Sequence, residues 1–151
     1  MHLRKPEAGD IPSIIDLILQ YKAETKTSIT DEDARSLEAL IRAVMESDSE
    51  FIVCDIDGEV AGFINAHYCH FPLILGRECY ISDLIIAESH RGKGIGRAMI
   101  AEMESHAKKH NCRRMMLNNL RNIRSYERSF YKKLGYTERE LIANFVKSIE
   151  P

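Results

Sequence analysis

Three glycines fall within five residues in Arg91-Gly92-Lys93-Gly94-Ile95-Gly96, and no other feature constrains the fold of this chain as strongly. Glycines this close together answer a backbone demand: they permit positive φ and let a ligand approach main-chain N–H groups with no Cβ in the way. The preceding run Leu84-Ile85-Ile86, within a strand predicted over 79–87, reads as covered on both faces. After the loop, Ile95, Met99 and Met103 share one face of a helix predicted from about Gly94 to His110. Lys108 and Lys109 lie in its last turn, where cations suit the helix dipole. Strand, glycine loop and helix in that order form an anion cradle, because a helix N-terminus offers unpaired N–H donors and a partial positive charge. Arg91, Lys93 and Arg97 add cations around the same point.

The spacing separates this loop from two other phosphate-binding loops. A dinucleotide-binding G-x-G-x-x-G needs a glycine three residues after the second, whereas these glycines strictly alternate. A P-loop needs Gly-Lys-Ser/Thr, which is absent. A tight turn whose glycines serve only close packing is the remaining reading of the loop by itself.

The rest of the chain supplies the context. His2 to Lys5 is a short extended segment. Asp10 is placed to cap a helix with Pro12 in its first turn and an apolar face of Ile14, Ile15, Ile18 and Leu19. A second helix follows a cap at Thr30 or Asp31, with Leu37, Leu40, Ile41 and Val44 as its stripe. Strands over 51–56 and 60–68 flank Asp57-Gly58, a dipeptide suited to a tight hairpin turn. Residues 69–77, with Pro72 and Gly76, read as a loop or hairpin tip. Beyond the glycine loop come a strand over 113–117, a helix over 123–134 ended by Gly135, and one or two tail strands, chiefly 141–146. This order of elements mixes hairpins with strand-helix-strand units and implies a mixed sheet flanked by helices.

With 151 residues and no repeat, linker or low-complexity stretch, the expectation is a single domain over 1–151. A formal charge of −2 gives no sign of a nucleic-acid or membrane-binding surface. Cys54, Cys69, Cys79 and Cys112 form no C-x-x-C pair and read as reduced, buried small hydrophobes, with no metal site implied. No apolar stretch is long enough for a membrane span and the first residues have no signal core, so the expected location is cytoplasmic.

The strand–Arg91-Gly92-Lys93-Gly94-Ile95-Gly96–helix unit resembles the coenzyme-A loop (Q/R-x-x-G-x-G/A) of the GNAT superfamily of N-acetyltransferases, with Arg91, Gly94 and Gly96 at its defining positions. Downstream, Ser129-Phe130-Tyr131-Lys132-Lys133-Leu134-Gly135-Tyr136 looks like that family's "FYxKxGF" segment, at the expected distance. The resemblance covers nearly the whole chain. It implies a twisted, mostly antiparallel mixed α/β (α+β) sheet whose two central parallel strands, here about 79–87 and 113–118, splay to admit coenzyme A. The backbone of Leu84, Ile85 and Ile86 then pairs with the pantetheine arm, and one N–H polarises the thioester carbonyl. Arg91, Gly92, Lys93, Gly94, Ile95, Gly96 and Arg97 surround the pyrophosphate. Family members often carry an asparagine seven residues before the tyrosine; this chain has Arg124 there, which makes Asn119 and Arg124 the candidate cofactor contacts of that segment.

Tyr131 is the candidate general acid. Tyr126, Phe130 and Leu134 form the core stripe of the predicted helix, and Tyr131 sits one residue, about 100°, off it. In the family the equivalent tyrosine protonates the departing thiolate; a phenol of pKa ~10 suits a thiol of ~8.5. Packing is the alternative role for Tyr131. Asp83 is the candidate group to bind or deprotonate the amine, with Glu78, His67, Tyr68 and His70 as further residues for the acceptor pocket. The resemblance implies direct transfer of an acetyl group from acetyl-CoA to a primary amine, expected on a small molecule, in a ternary complex without metal. Acetylation of a protein N-terminus or lysine, and a non-catalytic CoA-binding sensor domain, are the alternatives. The family analogy also allows a homodimer.

Overall fold

One sheet of five strands runs in sequence order: β1 (His2–Arg4), β2 (Glu50–Ile56), β3 (Glu59–Phe71), β4 (Gly76–Ile86) and β5 (Cys112–Leu117). Pairings from β1 through β4 are antiparallel and β4–β5 is parallel. The computed structural model describes residues 1–149. Its contacts cluster into two compact units, Met1–Asn118 and the segment from Asn119 onward.

In the first unit, α1 (Ile11–Glu24) and α2 (Asp31–Glu46) cover one face of the sheet and α3 (Ile95–Lys109) the other. Strand alternation divides the core accordingly. Phe51, Val53, Phe63 and Ile85 pack with Ile11, Ile14, Leu17 and Ile41. Ile52, Cys54, Ile64, Ala66, Cys79 and Ile81 are buried on the opposite side, where α3 presents Ile95, Met99, Ile100 and Met103.

Turn chemistry sets the hairpins. Asp57 (φ 54°) and Gly58 (φ 88°) both have positive φ, the geometry whose twist matches a two-residue hairpin. The next hairpin is longer than expected: β3 continues to Phe71 and β4 begins at Gly76, so only 72–75 form the tip of the predicted 69–77 loop. Thr30 caps α2, accepting from the Asp33 N–H at 3.1 Å while Asp33 Oδ2 accepts from the Thr30 N–H at 3.0 Å.

Asp10 stands at the N-cap position of α1, as expected, but its side chain makes no capping bond. A 3-10 turn over Ala8–Asp10 runs into that helix, and the Asp10 carboxylate instead accepts from the Glu7 N–H and from Arg4. Leu40, expected on the α2 core stripe, is exposed, and Ile41 carries the burial. Cys69 is exposed, unlike buried Cys54 and Cys79; burial, with Cys112 and Cys69 adding to it, pushes the Cys79 thiol up to about 12. Among the described residues no helix is long and apolar enough to cross a membrane.

From Asn119 onward the structure departs from two expectations. The continuous helix over 123–134 is a single turn, α4 (Arg124–Glu127), followed by a separate 3-10 turn over Lys132–Leu134. Ser129, at φ 53°, ends α4: its N–H reaches the Tyr126 carbonyl, and the Phe130 N–H reaches that of Ser125. These are the two bonds of a Schellman closure. The tail strand over 141–146 is also absent, since none of the described residues after Gly135 pairs in a ladder. Leu141, Phe145 and Val146 stand exposed there.

Candidate functional site

The sheet opens in the middle of β4. β5 pairs with Arg77 to Ile81 and ends at Leu117, opposite Ile81. On the other side of β4, Ala66 faces Ile81 while Asn65 faces Asp83, so Ser82 is the extra residue of a β-bulge. Bulge and strand end coincide, and Asp83 to Ile86 pair with β3 alone. The Ile85 carbonyl points at β3: a Cβ on Gly62 would stand 2.6 Å from it. The Ala87 N–H also donates toward β3, to Ala61. Alternation therefore turns the peptide groups of Leu84 and Ile86 to the edge that β5 has vacated. Of the predicted run Leu84-Ile85-Ile86, only the first and last present backbone there; the Ile85 peptide is spent on β3 and its side chain is core.

The glycine loop follows at the end of this strand. Gly92 (φ 79°) and Gly94 (φ 86°) are left-handed, and no atom lies within 4 Å of an added Cβ at either position. Gly94 is the N-cap of α3, whose first closing bond runs from the Ala98 N–H to the Gly94 carbonyl. The N–H groups of Ile95, Gly96 and Arg97 precede that bond and have no intrahelical acceptor. Gly96 sits inside the helix, and the Ile95 side chain is buried, so Ile95 offers only its main chain. Lys93 and Arg97 are exposed.

Arg91 is placed differently from a free cation. Its Nη2 lies 2.8 and 2.9 Å from the two Glu24 oxygens, and its Nε donates to the Ile86 carbonyl at 3.0 Å. Gln20, one turn earlier on α1, accepts from the Glu88 N–H and donates to Glu24. The end of α1 thus holds both the loop and the end of β4, a role for Gln20 and Glu24 that periodicity reveals only as two polar positions at i and i+4.

Just before the open edge lies a polar network on the α1 side of the sheet. Asn65, 5% exposed, donates from Nδ2 to Ser82 Oγ at 3.1 Å and approaches His67 Nε2 at 3.3 Å. Ser82 in turn donates to Asp83 Oδ2 at 2.7 Å. Asn65 Oδ1 has no partner among the described residues, an orphaned acceptor that costs about 1–3 kcal/mol when buried. Burial raises the phenol of Tyr21, on α1, and the nearby Asp83 and Glu24 charges add to the shift.

The other pocket candidates separate from this group. Glu78 is buried and ion-paired to Arg114. Tyr68 stacks on His110 with ring centroids 4.0 Å apart, its hydroxyl 3.5 Å from Glu50, and burial pushes that phenol up. His70 is exposed near the hairpin tip. The structure groups Asp83 with His67 and adds Asn65, Ser82 and Tyr21, which no motif marks. Only the period-two alternation of β3 places Asn65 on a core-facing position, where a polar residue is the anomaly.

The segment from Asn119 has its own order. Asn119 Oδ1 accepts from Ser125 Oγ at 3.0 Å, bracing the start of α4, and Arg124 is exposed on its first turn. Tyr131 begins the second turn of chain, which Gly135 (φ 89°) closes: the Tyr136 N–H reaches the Tyr131 carbonyl at 3.1 Å, and the Gly135 N–H that of Lys132. The Tyr131 ring meets Phe130 and Tyr136 edge-on at 4.9 and 5.6 Å. Glu138 gathers Tyr126, Lys132 and Arg121, and the Lys132 contact above all holds its carboxyl below the usual range.

Comparison with known proteins follows the same lines. The model of the acetyltransferase (GNAT) family matches residues 12–136. An uncharacterized N-acetyltransferase of Methanocaldococcus jannaschii is 30% identical over 110 residues, 71% of this chain; the chain spans about half (48%) of that relative's length. Among solved structures, a possible acetyltransferase from Clostridium difficile 630 superposes with a TM-score of 0.81 at 17% identity, over 99% of this chain and 98% of the other. A "predicted acetyltransferase with acetyl-CoA" from Clostridium acetobutylicum does so at 0.76 and 16% identity, over 96% and 95%. At such identities these two structures speak to the fold.

Proposed function

The chain belongs to the acetyltransferase (GNAT) family, and from that premise we propose that it transfers the acetyl group of acetyl-CoA directly to a primary amine of a small molecule. The observation that carries this reading is the open edge of β4 at Leu84 and Ile86, running straight into the Gly92–Gly94 cradle. Both fit an extended ligand with amides at one end and phosphates at the other. The likeness to a fold described with acetyl-CoA supports the same ligand.

In this reading the N–H groups of Ile95, Gly96 and Arg97 and the open backbone at Gly92 and Gly94 hold the pyrophosphate, as helix N-termini do. Lys93 and Arg97 balance its charge. Arg91, held by Glu24, sets the loop. The Leu84 peptide groups and the Ile86 N–H, whose own carbonyl already accepts from Arg91, hydrogen-bond the pantetheine arm as a neighbouring strand would, and one of these N–H groups polarises the acetyl carbonyl. Bound acetyl-CoA supplies a thioester whose carbonyl carbon is the electrophile. Asp83 receives the acceptor's ammonium, and a proton leaves through Asp83 or water. The amine nitrogen forms the new C–N bond, the C–S bond breaks, and Tyr131 gives the departing sulfur its proton; the second proton shed by the acylated nitrogen restores the Tyr131 phenol.

The test is thiol release from acetyl-CoA across a panel of polyamines, aminoglycosides, aminophosphonates and N-terminal peptides. Release that depends on a small amine, with N-acetylated product seen by mass spectrometry, supports the proposal. Release only with peptides moves the acceptor to proteins. Binding of acetyl-CoA with no transfer to any amine overturns catalysis and leaves a CoA sensor.

A further inference from the structure

We propose that Asn65 is the positioning residue of the acceptor subsite, its amide holding Ser82 and His67 so that Asp83 and the His67 ring together receive a small cationic primary amine. The inference rests on the acetyl-transfer reading and names the chemistry of the acceptor.

The directions of the hydrogen bonds carry it. Asn65 has two amide protons, and its Nδ2 lies within hydrogen-bond reach of two neighbours, Ser82 Oγ and His67 Nε2. The Ser82 oxygen accepts from Asn65, and its proton has two acceptors in reach, Asp83 Oδ2 at 2.7 Å and the Asn65 main-chain carbonyl at 3.3 Å, of which the carboxylate is the nearer and the charged one. The carboxylate is thereby held by a hydroxyl that is itself held by a buried side chain. Asn65 and Asp83 are direct partners across β3 and β4, and Ser82 is the bulge residue next to Asp83, opposite the Asn65–Ala66 step, so the network is built into the register.

Charge decides what the subsite takes. Glu24 and Glu78 are already paired, to Arg91 and Arg114. Asp83 is exposed, and among the described residues no cation pairs with it. An oriented, exposed, unpaired carboxylate beside the open strand edge suits an ammonium. His67 and Tyr80 are partners across the same pair of strands, two register steps from Asn65, and half-buried rings of this kind suit an alkyl stem. Asn65 Oδ1 is a buried acceptor for which the described residues supply no donor.

The probes are 1,5-diaminopentane and 6-aminohexanoate, assayed by thiol release, with acetyl-CoA affinity measured separately by calorimetry. Ser82→Ala and Asn65→Leu are expected to raise the KM for diaminopentane about tenfold while acetyl-CoA affinity stays unchanged and kcat moves much less. Ser82→Thr, which keeps the hydroxyl, retains the wild-type KM. Wild-type protein should prefer diaminopentane to 6-aminohexanoate, whose far end is anionic. Ser82 is exposed, so its variant remains informative should Asn65→Leu fail to fold. An unmoved amine KM in Ser82→Ala, or a loss confined to acetyl-CoA affinity, overturns the subsite while leaving acetyl transfer intact. A wild-type protein that binds acetyl-CoA yet acetylates no amine overturns the transfer reading, and the subsite with it.

Discussion

Glu24 receives Arg91 with both carboxylate oxygens, at 2.8 and 2.9 Å, so the last residue of α1 braces the first residue of the glycine loop. The pair is partly exposed, which limits its worth to about 0.2–1 kcal/mol. Glu24→Gln is therefore expected to weaken acetyl-CoA binding by about two- to fivefold, through a looser loop, with the effect shrinking at high salt. Calorimetry at low and high salt measures it. Tighter binding in the variant would mean that Arg91, once released, reaches the phosphates itself.

Gly94 separates folding from binding. At φ 86° a side chain is strained even though its Cβ meets open space, so Gly94→Ala should cost about 1–2 kcal/mol of stability. Gly94→Glu carries the same backbone strain and sets a negative charge against the phosphates. Thermal melts should find the two variants alike, while only Gly94→Glu abolishes acetyl-CoA binding.

Tyr131→Phe keeps the ring that packs edge-on against Phe130 and Tyr136 and removes the hydroxyl. If Tyr131 is the acid, turnover falls about 10²- to 10⁴-fold while acetyl-CoA affinity holds. Wild-type turnover with the preferred amine would return Tyr131 to a packing role.

These residues also show what the sequence made legible. Gly92 and Gly94 announced themselves, because a left-handed backbone has few tolerable side chains, and the helix behind them was written in the 3.6-residue spacing of Ile95, Met99 and Met103. The parallel pairing of β4 with β5 followed from the resemblance. The break at Ser129 did not show, since a serine at positive φ carries no mark in the sequence and the spacing of Tyr126, Phe130 and Leu134 still suggests a helix. Apolar residues at 141–146 suggested a strand, but a strand exists only with a partner. Asn65 showed only as a polar residue at a core-facing position of β3, and Ser82 not at all, because their pairing comes from a one-residue bulge in the register that no local pattern encodes.

Arg4 ties β1 to the rest of its unit through Asp10 and Asp55, with contacts of 2.6 and 2.9 Å. The Arg4 hydrogen bonds are the leading cause that holds both carboxyls below the usual range. A depressed folded-state pKa contributes stability that is present above the unfolded value of ~3.9 and is lost as pH falls through the lower folded value. Arg4→Leu should therefore lower the thermal midpoint at pH 7, and its gap from wild type should narrow as pH drops below about 4. A gap independent of pH would assign the loss to packing.

The most direct measurement is a calorimetric titration of the wild-type chain with acetyl-CoA, with ATP as the comparison. One acetyl-CoA per chain, with no comparable binding of ATP, is the expected result, because in the proposed reading the cradle at Gly92–Gly94 takes the phosphates and the open edge at Leu84 and Ile86 the pantetheine arm of one ligand. Absence of acetyl-CoA binding, or equal binding of ATP, contradicts the assignment of this site to an acyl-CoA.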